Sequence, residues 1–234
     1  MDSLYVVMPA YNEEANIETV VRAWYPVLQG KSEASRLVIA DQGSTDSTHE
    51  ILMKLKEEMP QLDIIDNTGK QHGPKVLALY AYAISQGADY IFQTDSDGQT
   101  DPDEFEPFWK NRGRYEAILG NRTVRGDGFS RKMVEKVVTT LLFIFFGVRV
   151  PDANAPFRLM RADLVAKYID RLDKDYNIPN IMFTTYFAYY KHNIRFKIVS
   201  FKPRQGGMNS IDIKKIVKIG IKAVQDFVKL RREM

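Results

Sequence analysis

The chain has 234 residues, 44% hydrophobic and 27% charged, with a formal net charge of +3. That is enough for one α/β domain with a sizeable core, and too apolar for disorder. It has no cysteine, which excludes disulfides, thiolate nucleophiles and cysteine-based zinc sites, and its three histidines, at 49, 72 and 192, are too scattered for a histidine metal site. MDSLYVVMPAYNEE at the N-terminus lacks a basic region followed by a long apolar run, so no secretory signal is expected.

Taken in chain order, short apolar runs alternate with helical patterns. LYVVMPA (4–10) reads as a buried strand, 13–28 as a helix, RLVIAD (36–41) as a second strand and 44–59 as a second helix. DIID (63–66) is a third strand, 74–87 a helix closed by Gly87, and ADYIFQT (88–94) a fourth strand. Strands separated by helices of this length imply crossover connections and a parallel sheet. The strands end in PAYNEE, DQGSTD, DNTGKQHG and DSDGQTD, polar stretches that would all face one crevice at the carboxyl edge of such a sheet, where ligands bind. The second half is less regular. Strands are expected at 115–121, 155–160 and 194–201, and helices at 130–146, 161–172 and 181–191. No repeat or flexible linker divides the chain, so one domain is expected over 1–210.

Two segments bear on membranes. VVTTLLFIFFGV (137–148) is too short to span a bilayer and reads as a core helix, with a segment dipping into a membrane surface as the alternative. Residues 202–234 carry nine Lys or Arg against three Asp or Glu. Within them, 211–234 reads as an amphipathic basic helix, with Ile213, Ile216, Val217, Ala223, Val224, Phe227 and Val228 on one side and five lysines on the other. It either packs on the domain or docks on a membrane surface.

The acids after the fourth strand carry the chemistry. Asp101 before Pro102 reads as a helix cap, with Asp103 supporting it. Asp95 and Asp97, two apart at a strand end, suit one hard cation, Mg²⁺ or Mn²⁺, and Gln99 adds a neutral oxygen. Asp41 after the second strand is placed to accept from a nucleobase or ribose, and Lys75 at a helix start to meet a phosphate. Neither a P-loop nor a G-x-G-x-x-G pattern is present, so the sequence gives no support to ATPase or NAD chemistry. A sugar-phosphate donor accounts for the set.

The ordered motifs VVMPAYNEEANIETVV, IADQGSTDSTHEIL and KVLALYAYAISQGADYIFQTDSDGQ resemble glycosyltransferase family 2. LGNR (119–122), VPDANAPFRLMR (150–161) and KPRQGGMNS (202–210) resemble its branch of polyprenyl- and dolichyl-phosphate glycosyltransferases. The resemblance implies a GT-A fold, a Rossmann-like, mostly parallel sheet flanked by helices. It also implies metal-dependent, inverting transfer from a nucleotide-diphospho-sugar. Pro9, Tyr11, Glu13, Asp41 and Lys75 match nucleotide-binding positions, and Asp95, Asp97 and Gln99 the metal and diphosphate motif. Arg122 and Arg131 match positions that hold an acceptor phosphate, and Arg204 a basic residue over the donor diphosphate. Gln42 stands where an acid is commoner.

The expected acceptor is a polyprenyl phosphate, with a lipid-linked or cell-surface glycan as the alternative. A sugar hydroxyl would need a base, for which Asp152 is the candidate; its structural alternative is an acid tied to Arg158. The expected setting is the cytoplasmic face of a membrane, contacted through the basic helix, with no nucleic-acid partner. A sugar-nucleotide nucleotidyltransferase would need a Gly-rich basic loop after the first strand, which PAYNEEAN lacks. A non-catalytic nucleotide-sugar-binding protein would have little use for Asp95 and Asp97.

Overall fold

The computed structural model of the chain describes residues 1–122, 129–202, 224–228, 230 and 231, with the backbone alone for 129–134. Arg204, the Arg131 side chain and most of the 211–234 helix lie outside the described residues.

Seven strands form one sheet: β1 (Leu4–Pro9), β2 (Arg36–Ala40), β3 (Leu62–Ile65), β4 (Tyr90–Gln93), β5 (Ala117–Asn121), β6 (Arg158–Arg161) and β7 (Ile194–Ile198), in the order β3-β2-β1-β4-β6-β5-β7. β1 pairs parallel with β2 and β4, and β2 with β3. β6 lies antiparallel between β4 and β5, and β5 pairs parallel with the edge strand β7. β6 alone runs backwards because the chain enters it from the carboxyl edge of the sheet. The helices are α1 (Ile17–Trp24), α2 (Thr48–Glu58), α3 (His72–Ser85), α4 (Glu106–Trp109), α5 (Phe129–Phe146), α6 (Ala162–Ile169) and α7 (Pro179–Tyr189).

The all-apolar β1 is buried along its length, as a central parallel strand must be. Its side chains alternate between two cores. Tyr5 and Val7 join α3, α5, α6 and α7 on one face, and Leu4, Val6 and Met8 join α1, α2 and the Phe105–Trp109 aromatics on the other.

Element ends moved for identifiable reasons. The helix expected over 13–28 begins at Ile17 and tightens into a 3-10 turn at Tyr25–Leu28, where Pro26 has no N–H to give. The helix expected from 44 begins at Thr48, because Ser44 instead bonds Asp41 and accepts from the Asn12 N–H at 3.0 Å. α3 ends at Ser85, and Gly87 follows at φ +74°, a left-handed stop that glycine adopts without strain. Asp101 caps as expected, accepting from the Asp103 N–H at 3.1 Å, although the element it opens is a 3-10 turn.

The run at 137–148 is part core and part surface: Leu142, Phe146 and Val148 are buried, while Phe143 and Ile144 are exposed. The described part of the tail belongs to the domain. Phe227 is buried against Phe145 and Phe146, with ring centroids 6.2 and 5.5 Å away, and Leu230 is buried beside it. At Phe227 and Leu230 the tail packs into the core, while Val228 is exposed.

Candidate active site

The carboxyl ends of β1, β2, β4 and β5 meet at one edge of the sheet, and side-chain bonds tie their turns together. After β1, Asn12 takes φ +53°, a conformation that asparagine tolerates better than most residues. Its Oδ1 accepts from the Thr45 N–H at 2.8 Å, which fastens the β1 turn to the β2 turn. Ser96 donates to the Pro9 carbonyl at 2.8 Å and fastens the β4 turn to β1. Gln42 Oε1 accepts from the N–H groups of Thr68 and Gly69, both at 2.6 Å, and fastens the β2 turn to the one after β3.

The residues expected to hold the nucleotide divide into a floor and a rim. Asp41 is buried and is bonded by Ser44 and by His49 Nδ1 at 3.2 Å. His49 had no recognisable sequence signal beyond its place in the first turn of α2. Lys75 is buried, not displayed at the helix start. Its ammonium donates to the Ala10 carbonyl and lies 5.3 Å from the Tyr11 ring centroid. Burial pushes its pKa down, and the Asp41 charge partly offsets that. Lys75 therefore shapes the floor under Tyr11, whose ring is half exposed. Glu13 is buried too: its carboxylate accepts from Asn16 Nδ2 at 3.0 Å and its N–H donates to Thr48 Oγ1 at 2.8 Å. It secures the start of α1.

Asp95 and Asp97 are partly exposed on the turn after β4, which Gly98 closes at φ +73°. Asp97 Oδ1 accepts from the Gln99 N–H at 3.1 Å. Among the described residues no three His, Cys, Asp or Glu side chains gather into a metal cage. Two carboxylates on one turn fit a magnesium or manganese ion, which completes its shell with water and substrate phosphates. Gln99 has a structural bond that the sequence did not reveal: its Nε2 donates to the Lys202 carbonyl at 2.7 Å, and the Lys202 N–H donates to the Gln99 carbonyl at 2.8 Å. The metal turn is thereby joined to the root of the segment that carries Arg204.

Past β5, Arg122 and Asp152 form one buried ion pair. Burial opposes the Arg122 charge, but its hydrogen bonds to Asp152 and the attraction of that carboxylate outweigh it and raise the arginine's pKa. Arg122 also lies over the Phe201 ring at 5.1 Å. The partner expected for Asp152, Arg158, is engaged elsewhere. It is fully buried and donates to the Ala155 carbonyl at 2.9 and 2.6 Å and to the Asn180 carbonyl at 3.0 Å. Burial pushes its pKa down, while the charges of Tyr80, Asp152 and Asp95 act in the opposite direction. Among the described residues no carboxylate forms a salt bridge with Arg158, which sits within electrostatic reach of Asp152 and Asp95.

A mixed, mostly parallel sheet with helices on both faces, four polar turns at its carboxyl edge and a two-carboxylate turn define a GT-A-like Rossmann fold. The model of Glycosyl transferase family 2 matches residues 5–169, and the chain belongs to that family. It is similar to the undecaprenyl-phosphate 4-deoxy-4-formamido-L-arabinose transferases of Salmonella choleraesuis and Photorhabdus laumondii. Identity is 24% over 161 residues and 25% over 175, covering 68% and 74% of this chain and 49% and 54% of those relatives. The chain thus spans about half the length of the curated relatives it matches. Solved structures that share the fold include two with bound nucleotide. One is Mycobacterium tuberculosis glucosyl-3-phosphoglycerate synthase in complex with Mn²⁺, UDP-glucose and glycerol 3-phosphate (TM-score 0.69, 16% identity, 98% of this chain and 80% of that one). The other is S. aureus TarS in complex with UDP (TM-score 0.58, 19% identity, 86% and 59%).

Proposed function

We propose that the chain transfers a hexosyl unit from a nucleotide-diphospho-sugar to a polyprenyl phosphate, with inversion at the anomeric carbon, at the cytoplasmic face of a membrane. The observation that carries the reading is the Asp95–Asp97 turn, tied on one side to the nucleotide floor through Ser96 and Pro9 and on the other to Lys202 through Gln99. Family membership and the lipid-phosphate acceptor named for the curated relatives support it.

Asp95 and Asp97 would hold Mg²⁺ or Mn²⁺, which when bound neutralises the diphosphate and assists its departure. Tyr11 offers a ring face to the nucleobase above the Asp41 and Lys75 floor. By resemblance, Arg122 and Arg131 orient the acceptor phosphate and Arg204 covers the donor diphosphate. An acceptor phosphate oxygen attacks the anomeric carbon, and the bond from that carbon to the diphosphate oxygen breaks, with the electron pair leaving on the nucleotide. The phosphate is already anionic near neutral pH, so no proton has to be removed.

The arrangement around Asp152 favours this acceptor over a sugar hydroxyl. Its carboxylate is fully buried, and each oxygen accepts from Arg122. It therefore acts as a positioning residue for Arg122, not as a base facing an acceptor.

The test is transfer of labelled sugar to a polyprenyl phosphate with and without Mn²⁺. Asp97→Ala is expected to lose metal-dependent turnover by about 100-fold or more while keeping its circular-dichroism spectrum. Full activity in that variant contradicts the reading.

A further inference from the structure

α5 leaves large apolar side chains in the open. Val137, Phe143 and Ile144 are 56, 45 and 66% exposed, while Leu142 and Phe146 of the same helix fill the core. Val137 and Ile144, seven residues apart, share one side of the helix, and Phe143 flanks it. Val228 is exposed on the helical turn whose Phe227 packs on Phe145 and Phe146. Large apolar side chains clustered on one outward side mark an interaction surface.

Cations bracket the patch. Lys136 and Arg149 are exposed, and no Asp or Glu lies between them in sequence. The Arg149 guanidinium lies 4.4 Å from the Phe143 ring centroid. An arginine over an exposed aromatic places a charge at the rim of an apolar surface, as at a lipid headgroup boundary. No described helix is long and apolar enough to cross a membrane. A surface that is apolar at its centre and cationic at its edges matches the outer layer of an anionic bilayer.

We propose that α5 seats the protein on an anionic lipid surface, with Phe143 and Ile144 in the acyl boundary and Lys136 and Arg149 among the headgroups. The inference builds on the reading of a membrane-borne acceptor, and it moves the docking surface from the C-terminal tail to α5. Because Arg131 lies in the first turn of α5, docking would also bring that residue to the membrane that holds the acceptor.

The test is flotation of the full chain with phosphatidylcholine vesicles, with and without phosphatidylglycerol. The chain is expected to float with the anionic vesicles. The double variant Phe143→Ser/Ile144→Ser is expected to partition at least about tenfold more weakly. Lys136→Gln/Arg149→Gln should lose the preference for phosphatidylglycerol. Nucleotide binding and the urea midpoint should remain those of the wild type in both variants, since all four side chains are exposed. Flotation of the apolar variant equal to wild type, or no flotation of the wild type, overturns the proposal. A lipid-free dimer that this variant dissolves, without any vesicle binding, also overturns it and assigns the patch to a second copy. Transfer to a short, water-soluble prenyl phosphate separates the two readings. It should survive in the apolar variant, and its absence in the wild type would sink the acceptor reading while flotation still decides the surface.

Discussion

The Arg122 guanidinium grips the Asp152 carboxylate through two parallel hydrogen bonds, Nε to Oδ2 at 2.8 Å and Nη2 to Oδ1 at 3.0 Å. The pair joins the end of β5 to the stretch between α5 and β6, and the Asn154 N–H adds a third bond to Oδ1 at 3.1 Å. Removing one member leaves the other charge buried without its counter-ion. Asp152→Ala is expected to destabilise the fold by about 3–5 kcal/mol, read from urea unfolding. A loss under about 1 kcal/mol would show that water reaches the pair and that Asp152 is open to a chemical role.

Gly73 sets the contact between α3 and the chain before α7. A Cβ there would stand 2.2 Å from the Tyr176 carbonyl oxygen and 2.6 Å from the Asn177 backbone. Backbone cannot step aside as a flexible side chain can. Gly73→Ala should cost about 1–3 kcal/mol of stability despite alanine's better helix propensity. A neutral or stabilising result in thermal unfolding would mean that the 172–178 segment yields freely.

Asp101 and Lys202 give a pH signature. The Lys202 ammonium, followed by the Asp103 backbone N–H, holds the Asp101 carboxyl below its usual range, and the Asp101 carboxylate raises Lys202. A depressed acid binds fewer protons folded than unfolded. Its contribution is complete above the unfolded value near about 4 and disappears as pH falls through the folded one. The raised lysine contributes below about 10.4 and loses that contribution as pH rises through its folded value. Asp101→Asn, which keeps a competent cap, should lower the urea midpoint between about pH 5 and 9 and converge with wild type in acid. A gap that persists unchanged to low pH would mean that the charge pair contributes nothing.

Much of this was legible in sequence because buried parallel strands are written as continuous apolar runs with polar ends. β1 to β4, the crossover helices and the convergence of Asp41, Asp95 and Asp97 at one edge follow from that pattern alone. What escaped depends on tertiary partners. Nothing local distinguishes Arg122 from Arg158 as the mate of Asp152, since the choice is made by where β5 and β6 bring each guanidinium. Lys75 reads as free for a phosphate because it stands at a helix start, yet the Ala10 carbonyl, 65 residues away, takes its ammonium. The apolar run at 137–148 reads as core because it is too short to span a bilayer, yet three of its nine large apolar side chains, Val137, Phe143 and Ile144, are exposed.

The central claim is that the edge carrying Asp95 and Asp97 binds a nucleotide-diphospho-sugar through a divalent metal. The most direct measurement is thermal unfolding with UDP, GDP, dTDP and CMP, each with and without Mn²⁺. A ligand at 100 times its Kd stabilises the native state by about 2.7 kcal/mol, a clear rise in Tm. The account predicts that one nucleoside diphosphate raises Tm with Mn²⁺ present and far less without it, and that Asp97→Ala abolishes the difference. No shift from any nucleotide in either condition would contradict it.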